Sequence, residues 1–238
     1  MSFKISNTSI KTFKRCRRKY YFSSTKHLGL EPAVDNVNLW LGSGIHKALE
    51  DYYGEGKDLI KTFNDWCDEQ IEELWEEQGS MWDEEIEMLE EQRELGIGML
   101  KHYKSYWIDK DKEDEWWEEV IAVEEKFEIP IYNHKGNKTR GTYCGKIDMI
   151  VKDKYDRYWI VDHKTGKRLQ TDHLPLDEQM VRYIYAGQEL FDIEIEGAIY
   201  NMLLKKIPTV PKELKSGGIS KSKRIKTTLD TYMDKLVD

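Results

Sequence analysis

Residues 143–166 read YCGKIDMIVKDKYDRYWIVDHKTG. Two apolar runs rich in β-branched and aromatic residues, 147–151 and 158–161, flank the polar turn 152–157, the pattern of a β-hairpin. Side chains alternate across a strand, so Asp162 and Lys164 share a face at the end of the second run. Asp148 stands between Ile147 and Met149, where a lone carboxylate is costly unless it is paired or bound to a metal. The short connection forces the two strands to pair, which sets Asp148 and Asp162 opposite each other. A surface ion pair contributes only about 0–1 kcal/mol, too little to explain an apolar run that ends in Asp162-His163-Lys164. Two carboxylates beside an ammonium make a hard-oxygen site suited to Mg²⁺ or Mn²⁺.

Upstream, the alternation of 120–131 predicts another strand, closed by the turn 133–137. Glu124 or Glu125 in that strand is a candidate for a further carboxylate. Downstream, 176–191 has helical periodicity and 197–204 is again strand-like. Strands, then a helix, then a strand predict an α/β (α+β) core, a central mixed sheet flanked by helices. Toward the N-terminus, Ser6-Asn7-Thr8 caps a helix over 7–22. Gly42-Ser43-Gly44 opens a second helix that carries Ile45, His46 and Leu49 and stops near Gly54. Residues 57–108 stay helical with a break at Gly79-Ser80, an amphipathic hairpin with one acidic face. The chain thus reads as one domain in four parts: N-terminal helices (1–56), an acidic helical insertion (57–114), the α/β core (115–207) and a basic polar tail (208–238).

The net charge of −8 is distributed unevenly. Residues 65–94 contribute −13, so the rest of the chain carries +5. Basic residues gather at Lys11, Lys14, Arg15, Arg17, Arg18 and Lys19 and again over 205–226, surfaces able to hold phosphate. The acidic face is either a solvated surface, a docking site for a protein partner, or a device that repels polyanions. No apolar run approaches the roughly 18 residues of a membrane span, and the N-terminus lacks the apolar core of a signal peptide. With Cys16, Cys67 and Cys144 far apart and odd in number, reduced thiols and a cytoplasmic location are expected.

Five separated motifs resemble the PD-(D/E)XK nuclease superfamily in its RecB-like branch, which includes helicase-associated, CRISPR-adaptation and phage-encoded nucleases. They are Ser9, Phe13, Cys16, Arg18, Tyr20 and Tyr21; Gly42-Ser43-Gly44-Ile45-His46; Gly145-Lys146-Ile147-Asp148; Asp162-His163-Lys164; and Gln179-Met180-Val181-Arg182-Tyr183. The resemblance implies a restriction-endonuclease-like fold and a Mg²⁺- or Mn²⁺-dependent deoxyribonuclease, an exonuclease of recombination, repair or phage DNA processing. It implies His46, Asp148, Asp162 and the backbone carbonyl of His163 as metal ligands, and Lys164 as the group that assists the attacking water. Gln179 and Tyr183, four apart and so on one helix face, would reach the active site and the adjacent DNA strand. Lys14, Arg15, Arg17, Arg18 and Lys19 are expected along the DNA path, with 65–94 away from it. Some members of the branch carry an iron–sulfur cluster on one early and three late cysteines. No cysteine follows Cys144, so no cluster is expected, and Cys16 reads as a small packing residue. The alternative reading is a nuclease-fold accessory module that acts through a protein partner.

Overall fold

The computed structural model describes residues 3–30, 37–78, 83–108, 117–169, 171–172, 174–207 and Lys215; the tail beyond 207 and the Gly79-Ser80 break otherwise lie outside them. In chain order the elements are β1 (Phe3–Ile5), α1 (Asn7–Arg15), α2 (Arg17–Ser23), α3 (Val37–Glu55), α4 (Leu59–Gln78), α5 (Asp83–Tyr103), β2 (Trp117–Tyr132), β3 (Lys138–Asp153), β4 (Tyr158–Gly166), α6 (Glu178–Phe191) and β5 (Ile195–Leu204). Among the described residues five strands form one mixed sheet flanked by six helices, the fold expected of a restriction-endonuclease-like protein.

β3 is the spine of the sheet. One edge pairs antiparallel with β2 along nearly its whole length, from Trp117 opposite Asp153 to Tyr132 opposite Lys138. The other edge is shared: β1 pairs parallel at 141–143, and β4 pairs antiparallel at 149–152. β5 then adds to β4 in parallel. Between those two pairings β3 has no strand partner on that edge among the described residues, and Asp148 lies at the mouth of the gap. The β3–β4 turn is locked by Asp153, whose carboxylate accepts from Tyr155 N, Arg157 N, Arg157 Nε and Trp159 Nε1 at 2.8–3.1 Å. These donors hold its pKa down at about 2 despite burial.

Helices cover the sheet on both faces. Met180, Tyr183 and Ala186 of α6 bury Phe127, Ile147, Ile150 and Ile160. On the other face Tyr53 of α3 packs on Met149, Val151 and Val161. Behind it, Leu41, Ile45 and Leu49 of α3, Leu59 and Phe63 of α4, and Leu100 of α5 form one core. The acidic helices therefore share their apolar side with the helix that carries His46.

Two expectations need correction. The helix expected over 7–22 is broken at Cys16, whose backbone is extended (φ −158°, ψ 107°). Cys16 is exposed rather than a packing residue, and its Sγ caps α2 by accepting from Lys19 N at 3.4 Å. The second correction concerns Gly42-Ser43-Gly44, which lies inside α3 instead of opening it. The glycine is there for close approach: a Cβ on Gly44 would stand 2.5 Å from the Trp66 ring and 2.7 Å from that of Phe63. Phe63 is fully buried and cannot retreat. Gly44→Ala gains about 1 kcal/mol of helix propensity but loses about 1–3 kcal/mol or more to overpacking. A net fall of a few degrees in Tm is expected; an unchanged or raised Tm in a thermal melt would contradict this packing.

Candidate active site

His46 projects from α3, two residues past Gly44, toward the gap beside β3. Its Nδ1 lies 3.5 Å from Asp148 Oδ2 and 3.7 Å from Glu124 Oε1. One ligand atom from each of His46, Glu124 and Asp148 falls within 4.8 Å of the others. Between Glu124 and Glu125, then, it is Glu124 that enters the cluster. Its backbone is left-handed (φ 51°) in the middle of a strand, a conformation that costs a non-glycine residue about 1–2 kcal/mol. At the same level the alternation of β3 breaks, because Ile147 packs under α6 while Met149 packs toward α3. The twist turns Glu124 inward, where its side chain is 7% exposed.

Asp162 and Lys164 stand beside this cluster at the end of β4. Lys164 Nζ lies 2.7 Å from Asp162 Oδ2, close enough for charge pairing, yet that oxygen receives no directionally aligned donor. The same holds for Glu124 Oε2, which forms an ion pair with Lys146. Asp162 is 1% exposed and Asp148 9%. Asp148 Oδ2 also accepts the backbone N–H of His163 at 2.8 Å, which ties β3 to β4 just beyond their last paired residues.

Burial sets the protonation chemistry. It pushes the Asp148 carboxyl up to about 6, against the pull of His46 and with the push of Asp162. It raises Asp162 as well, in spite of Lys164. At His46 burial opposes the charged form, but Glu124 and Asp148 outweigh it and raise its pKa. At Glu124 burial is in turn outweighed by His46 and Lys146, and the pKa is lowered. A dense group of acids with incompletely satisfied buried oxygens and one imidazole is the donor set of a divalent cation with hard-oxygen preference. Residues and ion fit.

The remaining expected residues are placed as follows. The His163 ring lies on the α3 side, edge-on to the His46 ring and stacked on Tyr53, with 6.2 Å between ring centres in both cases, and its Nδ1 is 2.9 Å from Asn201 Nδ2. Burial pushes its pKa down to about 3, so the ring is neutral. Gln179 heads α6 and its Nε2 reaches Asp162 Oδ1 at 3.5 Å. Tyr183, one turn on, lies within the apolar layer, edge-on to Phe127 at 5.7 Å. Of the basic residues, Lys14 forms an ion pair with Glu178 at 2.6 Å, while Arg17 and Arg18 lie over the rings of Phe13 and Phe22. A cleft of about 690 Å³, lined in part by His46, Glu124, Lys146, Lys164 and Lys205, opens on the cluster.

Sequence reasoning missed Asn7, read only as part of a helix cap. It is buried, donates from Nδ2 to Gln179 Oε1 at 2.7 Å, and accepts from Arg182 Nη1 at 2.9 Å. Lys11 Nζ adds a second donor to the same Gln179 oxygen at 3.0 Å. No local signal separates such an asparagine from an ordinary capping residue. Lys146 was named only within its motif and Asn201 not at all, since their partners lie on other elements.

The family model described as the PD-(D/E)XK nuclease superfamily matches residues 4–235. No curated protein matches the chain, and no described helix is long and apolar enough to cross a membrane.

Proposed function

This chain belongs to the PD-(D/E)XK nuclease superfamily, and we propose that it is a Mg²⁺- or Mn²⁺-dependent deoxyribonuclease that digests DNA from an end. The observation that supports this most is the convergence of His46, Glu124 and Asp148 within 4.8 Å, with Lys164 and Asp162 alongside. End-directed digestion, and a role in recombination, repair or phage DNA processing in the cytoplasm, rest on the likeness of the five motifs to the RecB-like branch.

In this reading His46, Glu124, Asp148 and Asp162 hold the ion, and the His163 carbonyl is a further candidate. When bound, the ion supplies positive charge opposite the phosphate and lowers the pKa of water. The protein does the rest. Lys164, held by Asp162, orients the attacking water and stabilises charge building on the phosphate oxygens. Gln179, anchored by Asn7 and Lys11, fixes the rotamer of Asp162. Tyr183 is a positioning residue, packed where it braces α6 against the sheet.

Incubation of linear and closed circular DNA with each ion tests the reading. Loss of the linear substrate alone is the expected result. Cutting of the circle would make the enzyme an endonuclease, and no cutting of either DNA with either ion would remove the assignment.

Protons compete with the ion. Asp148 has a folded pKa of about 6, above its ordinary 3.8, and His46 is raised above 6.5. Asp148 makes the folded protein bind more protons than the unfolded chain between 3.8 and about 6, and His46 does so from 6.5 upward, so metal-free stability falls as pH rises through each window. Ion uptake must then release protons. Calorimetry in buffers of different ionisation enthalpy is expected to show net proton release near pH 6 and weaker ion binding at pH 5 than at pH 8. Equal affinity at the two pH values would contradict the ligand set.

A further inference from the structure

The first 30 residues contain eight Lys and Arg and no Asp or Glu, so this end of the protein carries a concentrated positive field. Two of the eight are neutralised by ion pairs, Lys4 with Glu128 and Lys14 with Glu178. Among the described residues no carboxylate pairs with Arg15, Arg17, Arg18 or Lys19. The same segment exposes rings. Phe13 is 45% exposed, Tyr21 48% and Phe22 38%, and α2 has no buried residue at all. Single exposed apolar side chains are ordinary; here three exposed rings fall within ten residues, two of them under guanidinium groups, with Tyr21 edge-on to Phe22 at 5.9 Å.

We propose that α1 and α2 form a stacking platform for single-stranded DNA that feeds the metal cluster, an inference that rests on the nuclease reading and names its substrate. Unpaired bases offer flat faces to Phe13, Tyr21 and Phe22, and phosphates between them meet Arg15, Arg17, Arg18 and Lys19. Aromatic platforms flanked by cations are the general solution for single strands, because every base has a π-face. A duplex keeps its base faces inside its own stack and could use only the cations. Placement agrees with this role. Asn7 and Lys11 of α1 bond Gln179, and Gln179 reaches Asp162. Phe13 follows Lys11 by two residues, about 3 Å of helix rise and roughly 200° around the axis, so a strand lying on the rings crosses the outer side of the helix whose inner side holds Gln179.

The test is fluorescence anisotropy in chelator, where no cleavage occurs, with a labelled oligothymidine and a duplex of equal length. The wild type is expected to bind the single strand at least tenfold more tightly. Phe22→Ala and Tyr21→Ala should each weaken single-strand binding on the order of tenfold and leave duplex binding and the salt dependence unchanged. Phe22→Trp should retain binding. Arg17→Gln with Arg18→Gln should weaken both DNAs and reduce the single-strand salt slope by about 0.7 per lost phosphate contact. These side chains are exposed, so Tm should hold in every variant. Tighter binding of the duplex, or alanine variants that bind the single strand as the wild type does, overturns the platform even if the protein cuts DNA. Ring-dependent single-strand binding by a protein that never cuts would instead keep the platform and remove the nuclease.

Discussion

Lys164→Ala is expected to lower the rate of strand cleavage by about 10²–10³-fold while the protein still folds and still takes up a divalent ion. Among the described residues the ammonium is the cation that pairs with Asp162, at 2.7 Å, and its side chain is 40% exposed, so it also faces the cleft. A charge-stabilising donor of this kind acts where negative charge builds on the reacting phosphate, and its loss removes roughly 3–4 kcal/mol of transition-state stabilisation. Ion binding should suffer less, because His46, Glu124 and Asp148 are untouched. Single-turnover cleavage in Mn²⁺ beside calorimetric titration of the ion separates the two effects. A variant that cleaves within threefold of wild type would show that Lys164 serves only as the counter-charge of a buried Asp162.

Asp148→Asn should abolish both measurements together. The amide oxygen can still accept the His163 N–H that now reaches Asp148 Oδ2 at 2.8 Å, so the strand junction survives. The negative charge that faces His46 at 3.5 Å is lost, and with it a ligand of the proposed ion. Ion affinity is expected to fall by well over the roughly 10–100-fold seen when a mere supporting residue of a metal site is removed, and cleavage to fall at least 10³-fold. Stability should move the other way. The folded pKa of about 6 means that at pH 7 the native state holds an ionised carboxylate that burial disfavours. The neutral amide lifts that cost, so in chelator the variant should melt a few degrees above wild type, and its Tm should depend less on pH between 5 and 7. Such opposition of stability and activity is the signature of a site kept for function. A variant that melts lower in chelator and binds Mn²⁺ normally would instead make Asp148 a structural residue of the β3–β4 junction.

The chemistry of both predictions was legible in 143–166 because its grammar is local. An acid inside an apolar strand, an acid and a lysine two residues apart, and a polar turn between them restrict one another whatever the rest of the chain does. His46 and the Gln179–Tyr183 pair were marked instead by their likeness to the family's motifs; the helical period only set that pair on one face. What could not be read locally depends on neighbours distant in the chain. Glu124 and Glu125 are adjacent and chemically identical, and the left-handed backbone that turns Glu124 inward exists only where β2 meets β3 and α3. Gly44 has the look of a helix opener until Trp66 and Phe63 of α4 are laid against it.

Composition, strand period and the order of the acidic motifs thus determined an α/β core and a candidate hard-oxygen site, since a carboxylate buried in an apolar strand is costly without a partner. Tertiary structure alone decided which glutamate completes the cluster, that Asn7 and Lys11 hold Gln179, and that the acidic helices share a core with the histidine helix. The physical reason is that hydrogen bonds and packing between segments over a hundred residues apart, such as Asn7 with Gln179, leave no trace in local periodicity.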